Sequence, residues 1–181
     1  MRSRILKVLV LAVLILVAGC AMLLLAARPY MIPTDSMRPT LLTGDYVFVT
    51  KTAGTLRFGD IAWFRPPEGP NTGGVFVKRI VGIPGDRIRI AAEAVYRNGQ
   101  RLAEPYALYD PNRHNPSAEG TEVVVPPNSY YVLGDNRENS MDSRNFGCVP
   151  VESFIGKPLF RYWSVDEARN TRWGRTLRLV R

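Results

Sequence analysis

Cysteine and histidine are scarce in this sequence of 181 residues. The two cysteines, Cys20 and Cys148, lie far apart, and the first falls inside a long apolar run, so an intrachain disulfide is not expected. The single histidine, His114, lies in a polar segment between prolines, where a side chain is usually exposed to solvent. A hydrolase of the Ser-His-Asp type would need that histidine within hydrogen-bond reach of its serine. We therefore expect His114 to have no catalytic role.

Acidic residues are also in the minority. The chain has 16 Asp and Glu residues against 24 Lys and Arg, for a formal net charge of +8. This excess comes with neither a zinc-ligand pattern nor a helix-turn-helix signal, which argues against nucleic acid as a partner. A basic domain held on a bilayer would instead face anionic phospholipid head groups. The arginine-rich end, residues 163–181, fits either a segment near the lipid surface or a solvated basic edge strand.

One stretch of the chain, residues 8–27, has no charged side chain over 20 positions. That length matches the roughly 20 apolar residues that a helix needs to span a bilayer core. Basic residues precede the stretch, and only Arg28 follows it directly. The positive-inside bias therefore predicts a single-pass anchor, with residues 1–7 in the cytoplasm and residues 28–181 on the outer side of the cytoplasmic (inner) membrane.

Two cleaved alternatives to an anchor exist for this stretch. A secretory signal peptide has an apolar region of only ~7–15 residues, which is shorter than the one present here. The residues Ala18-Gly19-Cys20 would also suit a lipoprotein that is cleaved before Cys20 and lipidated on it. The chain stays apolar through Ala27, however, whereas a lipoprotein normally becomes polar directly after its cysteine. We favour the uncleaved anchor.

The sequence after the anchor is organised as short segments rich in β-branched and aromatic residues. They cover residues 46–50, 61–64, 75–81, 87–90, 122–125 and 130–133. Three Gly-Asp pairs predict turns that lead into strands, and Asn98-Gly99 favours a type I′ hairpin. A short helical turn is expected around residues 151–154, and residues 106–120 indicate a polar surface loop or small extension. We predict a mainly β domain of mostly antiparallel strands.

Ser36 lies in a short loop bracketed by Pro33 and Pro39. Each proline fixes its own φ and restricts the residue before it, so the serine is held in a defined backbone position. Prolines beside a serine are also common in ordinary turns. Only nine positions separate Ala27 from Ser36, which keeps the serine within roughly 30 Å of the predicted anchor. A nucleophile at Ser36 would therefore act close to the membrane.

Lys78 is the candidate base for such a serine. In the predicted strand 75–81 it shares one face with apolar residues, and Arg79 shares the other face with apolar residues. At least one of these cations must be surrounded by hydrocarbon. Burial lowers the pKa of a lysine toward values at which it can accept a proton, whereas arginine stays charged. The alternative is that Lys78 extends to water at a sheet edge.

A polar stretch of eleven residues, 134–144, follows the predicted strand at 130–133. One interpretation is a solvated loop. The other is a hydrogen-bonded scaffold in which Asp142 pairs with Arg144 while Ser140 orients the base.

Five ordered motifs resemble those of the bacterial type I signal peptidases, also called leader peptidases. They are TDSMRPTL, GDYVFV, FGDIAWF, VKRIVGIPGDRI and YYVLGDNRENSMDSRNFG. The resemblance extends from the anchor to about Gly156. It implies a membrane-anchored serine endopeptidase with a catalytic dyad, in which Ser36 is the nucleophile and Lys78 is the general base. It implies no metal and no organic cofactor.

The resemblance also implies roles for neighbouring residues. Ser140 would contact the lysine ammonium, and Asp142 and Arg144 would form a structural pair beneath the site. The backbone N–H of Ser36 and the hydroxyl of Thr34 would form the oxyanion hole.

This chain departs from the family pattern beside the serine. Many members have Pro-Ser-Gly-Ser, whereas this chain has Pro-Thr-Asp-Ser, so that Thr34 replaces a serine and Asp35 replaces a glycine. The methyl group of the threonine restricts its χ1 angle, although its hydroxyl can still donate a hydrogen bond.

The substrates that the resemblance implies are pre-proteins carrying N-terminal signal peptides. Each would bind as an added strand between residues 31–33 and 75–77 and would be cleaved after small residues such as alanine, through an acyl-enzyme. The expected substrate-binding residues are Met31, Ile32, Pro33, Val75 and Val77. Two alternatives are a self-cleaving repressor, which would need a DNA-binding domain, and a non-enzymatic lipoprotein tethered through Cys20. The oligomeric state is not predicted.

Overall fold

An N-terminal helix, α1 (Arg2–Ala26), passes directly into the first strand, β1 (Ala27–Met31). The computed structural model describes residues 2–51, 56–67, 74–91, 94–109, 120 and 122–180. Within that part of the chain, no helix is both long and apolar enough to cross a membrane. The membrane anchor at residues 8–27 therefore stays a prediction, and Ala27, which was expected to end it, is the first residue of β1.

Short strands make up most of the remaining chain. They are β2 (Asp45–Lys51), β3 (Ile61–Phe64), β4 (Phe76–Gly82), β5 (Arg87–Ala91), β6 (Ala94–Arg97), β7 (Gln100–Arg101), β8 (Glu122–Val124), β9 (Ser129–Leu133), β10 (Val149–Pro150), β11 (Phe154–Ser164) and β12 (Arg178–Leu179). The larger sheet has the order β1-β2-β11-β3-β4-β9-β10, with β12 beside β11, and the smaller has the order β7-β6-β5-β8. All these pairs are antiparallel, which confirms the mainly β prediction.

The predicted strands and hairpin are present. All six predicted segments form strands, and their ends differ by no more than one residue. Asn98 and Gly99 have φ angles of 53° and 80°, as a type I′ turn between β6 and β7 requires. The short helical turn is a 3-10 helix at Val151–Ser153. His114 and most of the predicted loop at 106–120 lie outside the described residues.

The three Gly-Asp turns share one hydrogen-bonding device. Gly44, Gly59 and Gly85 all have φ near +85°, a region that favours glycine. The aspartate that follows each glycine accepts a hydrogen bond from the backbone N–H three residues earlier, at 2.8–3.0 Å. Each turn therefore caps its own backbone just before β2, β3 or β5 begins.

The core of the larger sheet holds the loop that contains Ser36. Met37 and Leu41 from this loop are fully buried and pack into an apolar cluster. The other buried members of the cluster are Ile32, Val47, Val49, Ile61, Trp63 and Val77, from β2, β3, β4 and the segment after β1. Burying one such side chain stabilises the fold by about 1.5–3 kcal/mol. The loop is thus fastened from both sides of Ser36.

Candidate active site

Ser36 lies in a one-turn 3-10 helix, Asp35–Met37. Its side chain is held at a buried position, with 7% of the residue exposed. Asn136 fixes this turn from across the site. Its backbone N–H donates to the Ser36 carbonyl at 3.1 Å, and its side-chain amide donates to the Asp35 carbonyl at 3.1 Å. Asn136 lies in the polar stretch recognised in the sequence, but its role was not predicted.

Asp35 occupies the position where many family members have glycine. It lies within the 3-10 helix and is not among the residues with positive φ, so this backbone does not require glycine. Its carboxylate accepts a hydrogen bond from the Thr43 hydroxyl at 2.9 Å. The substitution therefore adds a link between the Ser36 turn and the turn that precedes β2.

Lys78 projects from β4 directly toward the serine. The distance between Lys78 Nζ and Ser36 Oγ is 2.7 Å, and only 4% of Lys78 is exposed. The alternative in which Lys78 extends to water is therefore wrong. The ammonium also lies 5.5 Å from the centre of the Phe76 ring, on the same face of β4. Two side chains 42 positions apart in sequence are thus brought into one hydrogen bond.

Burial lowers the pKa of Lys78 from its ordinary value of 10.5 to about 8. Desolvation of the ammonium is the largest cause, and the positive charge of Arg144 lowers the pKa further, while Asp142 and Asp135 raise it. With a pKa of about 8, about a tenth of the lysine is neutral at pH 7. The neutral amine has a free electron pair and can take the proton of the neighbouring hydroxyl.

Arg79, the next residue, is neutralised by a carboxylate. Its Nε and Nη2 atoms bind the two oxygens of Asp135 at 2.8 and 2.7 Å. The guanidinium also lies over the ring of Tyr106, at 3.9 Å from its centre. Asp135 in turn accepts from the Thr40 hydroxyl at 2.5 Å, so this pair connects β4 with the loop that follows Ser36.

The stretch 134–144 is a hydrogen-bonded scaffold. Asp142 and Arg144 form a two-point ion pair at 2.8 and 2.9 Å. The Asp142 carboxylate also accepts from the Gly134 N–H at 3.0 Å and from a backbone N–H of the short helix α2 (Ser143–Phe146). This capping satisfies donors that the first turn of a helix leaves free. The Asp142 carboxylate thereby links the end of strand β9 to α2.

Ser140 departs from the expected contact. Its Oγ atom is buried and has no hydrogen-bond partner among the described residues, and the Lys78 ammonium donates to Ser36. Because Gly134 has no side chain, the side chain of Ser140 can approach its backbone closely. A Cβ atom on Gly134 would collide with the Ser140 side chain and would lie 2.5 Å from the Ser36 carbonyl oxygen. Gly134 is a site residue that the sequence analysis missed.

A cavity of about 480 Å³ opens beside the Ser36 and Lys78 side chains. Pro33, Val75 and Val77 line it, as expected for substrate-binding residues. Ile32 and Met31 do not. Ile32 is 1% exposed and packs in the core, while Met31 is 52% exposed, because neighbouring side chains of an extended segment point to opposite sides.

Among the described residues, strand β4 is paired on one side only along this cavity. It pairs with β3 from Phe76 to Arg79, but its pairing with β9 begins only at Arg79. In the described chain, β1 pairs with β2 alone. Unpaired backbone groups at a sheet edge can accept a peptide as an added strand. The two segments predicted to flank a substrate strand, residues 31–33 and 75–77, could therefore pair with a peptide.

Two hydrogen-bond donors lie where an oxyanion could be bound. The Thr34 hydroxyl is 3.4 Å from Ser36 Oγ, and both residues line the cavity. The Ser36 N–H belongs to the first turn of its helix, where no intrahelical acceptor exists.

The arginine-rich end of the chain is partly turned inward. Arg175 binds the buried carboxylate of Asp45 at 2.8 Å, as does the preceding Arg161 of β11 at 3.2 Å, and Arg172 donates to the Thr43 carbonyl at 3.0 Å. These contacts support the segment between Ser36 and β2. The same end exposes large apolar side chains, including Trp173 with 74% of its surface exposed. It is therefore not a purely solvated basic edge, and its placement near the lipid surface stays a prediction.

Comparisons with known proteins point to one family. A family model described as signal peptidase, peptidase S26, matches residues 2–163. A protein named probable signal peptidase I-1 from Synechocystis is 39% identical over 156 residues, which cover 82% of this chain and 74% of that protein. Signal peptidase IB of Staphylococcus aureus is 35% identical over 159 residues, or 78% and 81% of the two chains. A crystal structure of a signal peptidase I from Enterococcus faecalis is 30% identical, with a TM-score of 0.46 over 57% of this chain and 97% of that one.

Proposed function

Because the chain belongs to the signal peptidase family, peptidase S26, and is a serine endopeptidase, we propose that it cleaves signal peptides from exported pre-proteins with Ser36 as nucleophile and Lys78 as general base. The observation that carries this assignment is the 2.7 Å contact between Lys78 Nζ and Ser36 Oγ at a buried position. A lysine can serve as a base when burial lowers its pKa toward neutrality, as it does here.

The reaction follows from this geometry. The neutral amine of Lys78 takes the proton from Ser36 Oγ as the oxygen attacks the scissile carbonyl. The negative charge that develops on the carbonyl oxygen is stabilised by the Ser36 N–H and the Thr34 hydroxyl. Lys78 then gives its proton to the departing amine of the mature protein, which leaves an acyl-enzyme. A water molecule deprotonated by Lys78 attacks the ester, and Lys78 returns that proton to Ser36 Oγ as the oxygen leaves, which restores both groups.

The cavity supports a preference for small residues before the cleaved bond. A peptide added to the free edge of β4 would place alternate side chains toward Val75 and Val77. These two walls are apolar, so a charged side chain directed at them would be costly to bury. As the resemblance to signal peptidases implies, cleavage should follow alanine or glycine, and efficient cleavage after arginine or phenylalanine would contradict this preference.

The proposal includes the uncleaved membrane anchor at residues 8–27. Its support is the run of 20 uncharged residues and the direct passage from α1 into β1, which leads to the Ser36 loop. The catalytic domain would then lie on the outer face of the cytoplasmic membrane, next to membrane-bound pre-proteins. The mass of the membrane-extracted protein tests this part. An intact N-terminus supports the anchor, and a chain that begins with lipidated Cys20 contradicts it.

Replacement of the serine tests the assignment of the nucleophile. Ser36→Ala should remain folded and should lose cleavage of a pre-protein in detergent, because it removes the hydroxyl that accepts a hydrogen bond from Lys78 Nζ. Ser129→Ala, on β9 outside the cavity, is the matched control and should cleave normally. Retained turnover in Ser36→Ala would refute the mechanism.

The pH dependence tests the base. Only neutral Lys78 accepts a proton, so kcat/KM of the parent should rise with pH through the pKa of about 8 and then level off. Values of kcat/KM measured with one peptide substrate between pH 6 and 10 would show whether this rise occurs. A profile that is flat across that range would contradict a lysine base.

A further inference from the structure

A second cavity, of about 370 Å³, lies at the end of the larger sheet where α1 joins β1. We call it the basic groove. Three cationic side chains line it, from Arg28 in β1, Lys51 in β2 and Arg65 just after β3. Glu152 is the acidic residue among those lining it. All three basic residues are solvent-exposed, so the groove is open to a ligand.

Three positive charges face one negative charge in this groove. Among the described residues, no ion pair joins any of the three cations to a carboxylate. The local charge therefore favours an anion and disfavours the basic N-terminal part of a signal peptide. Guanidinium groups bind phosphate oxygens through two parallel hydrogen bonds, which makes a phosphate group the best-matched anion.

The remaining walls suit an amphipathic ligand. The hydroxyl groups of Tyr30 and Ser153 can donate hydrogen bonds, while Val49 and Ile155 provide apolar surface. The volume lies in the range of small-molecule sites, about 300–1,000 Å³. A phosphate carried on a glycerol unit would use both parts of the groove, with its oxygens at the cations and its carbons at the apolar wall.

The position of the groove identifies the source of that phosphate. Arg28 is the second residue of β1 and lies directly after the helix. Arg65 follows Phe64, which pairs with Phe76 at the start of β4, two residues before Lys78. The groove is therefore at the end of the sheet that the helix enters. If α1 anchors the protein, this end lies at the level of the lipid head groups.

We propose that the basic groove binds the phosphoglycerol head group of an anionic phospholipid and thereby orients the catalytic cavity at the membrane surface. This inference rests on the proposed function for its membrane placement. It assigns to Arg28, Lys51 and Arg65 a role in lipid binding that is separate from catalysis.

Direct lipid binding is the first test. The full-length protein is extracted in detergent and mixed with phosphatidylglycerol or with phosphatidylcholine, and retained lipid is counted by native mass spectrometry. The parent should retain phosphatidylglycerol in preference. The triple variant Arg28→Gln, Lys51→Gln, Arg65→Gln should bind it about 100-fold more weakly, since each basic residue near a lipid surface contributes about fivefold.

A matched control removes the same charge elsewhere. Arg57→Gln, Arg87→Gln and Arg101→Gln, all exposed and outside the groove, should retain the parent's selectivity. Equal loss in this control would show that net charge alone attracts the lipid and would overturn the proposal. Competition with free glycerol phosphate distinguishes the two sources of phosphate. Displacement of the lipid at equal concentration would mean that the groove is a general phosphate site rather than a lipid site.

Cleavage assays separate this inference from the proposed function. In detergent, the groove variant should cleave a short peptide at the parent rate, because Ser36 and Lys78 are unchanged. In vesicles, the parent should process a pre-protein faster with phosphatidylglycerol present, and the groove variant should not respond. If the parent cleaves no peptide, the proposed function fails while the lipid measurement still decides the groove. An undiminished lipid response in the groove variant would contradict the inference.

Discussion

The two faces of β4 carry neighbouring cations with the same burial and different surroundings. Lys78 and Arg79 are each 4% exposed. Arg79 is bound through two hydrogen bonds to Asp135, whereas Lys78 faces the hydroxyl of Ser36 and has no carboxylate partner among the described residues. Burial of an unpaired charge is costly and is relieved when the group gives up its proton. The pKa of Lys78 is accordingly lowered to about 8.

The comparison separates a structural charge from a reactive one. An arginine keeps its proton, so its burial is tolerated only with a carboxylate, and the resulting pair fastens β4 to the loop around Ser36. The lysine can lose its proton, so the same degree of burial converts it into a base. Substitution of Lys78 should therefore lower the reaction rate, whereas substitution in the Arg79–Asp135 pair should lower the stability of the fold.

The largest expected effect is that of Lys78→Arg on cleavage. Arginine preserves the positive charge but cannot accept a proton, so kcat/KM should fall by roughly 10⁴-fold, at the upper end of what a positioned base contributes. Lys78→Met should show the same loss, which excludes a size effect of the guanidinium. Peptide cleavage in detergent measures both. If Lys78→Arg were nearly as active as the parent, only the positive charge at this position would matter, and Lys78 would not be the base.

Asp135→Asn tests the other face of β4 through stability. It leaves the buried guanidinium of Arg79 without its carboxylate, which should cost about 3–5 kcal/mol of unfolding free energy. Glu122→Gln is the control, because it breaks the exposed pair with Arg87 and should cost about 0–1 kcal/mol. Thermal unfolding in detergent measures both variants. Equal losses would indicate that burial of the pair on β4 has no energetic consequence.

Local sequence signals predicted much of this fold. Alternating strands, the Gly-Asp turns and the hairpin at Asn98-Gly99 depend on residues close together in the chain, and all are present. The longest strand, β11, was missed. Its register shifts between Pro158 and Phe160 and again between Arg161 and Trp163, and these irregularities interrupt the two-residue period by which a strand is recognised.

Part of the site could be predicted from the sequence. The apolar pattern of its strand allowed Lys78 to be either buried or extended to water, and its meeting with Ser36 depends on a contact across 42 positions that no periodicity encodes. The resemblance to signal peptidases supplied that pairing. Gly134 and Asn136 had no visible role, because a close approach and a carbonyl contact become apparent only when the loops are assembled. For the same reason, the lack of a hydrogen bond on Ser140 was not foreseen.

Thr34→Val tests whether polar groups on the cavity side act on the rate alone. Loss of one oxyanion donor costs about 2.7–4 kcal/mol of transition-state stabilisation, so kcat should fall by roughly 10²–10³-fold. Stability should change little, because Thr34 is exposed. Thr34→Ser restores the hydroxyl and should recover most of the rate. A fully active Thr34→Val would mean that its hydroxyl does not face the oxyanion.

The smallest expected effect is on the pH dependence of stability. It measures how much the burial of Lys78 lowers the free energy of unfolding. The pKa of Lys78 is about 8 in the folded state, below its ordinary value of 10.5. Below pH 8 the lysine is protonated in both states, and the folded state bears the full cost of a buried ammonium. Between pH 8 and 10.5 the unfolded state binds more protons, so the stability of the parent rises with pH.

Lys78→Met, which has a similar shape and no charge, removes that cost. It should be more stable than the parent at pH 7 by at most about 3 kcal/mol, the free energy that corresponds to the lowered pKa. The difference should shrink as the pH rises from 8 to 10.5. Arg79→Met leaves Asp135 buried without a partner and should be less stable than the parent at both ends of this range. Thermal unfolding in detergent at pH 7 and pH 10.5 compares the three proteins. A stability difference between Lys78→Met and the parent that stays constant with pH would mean that Lys78 does not titrate in this window, and the base would then have to be sought elsewhere.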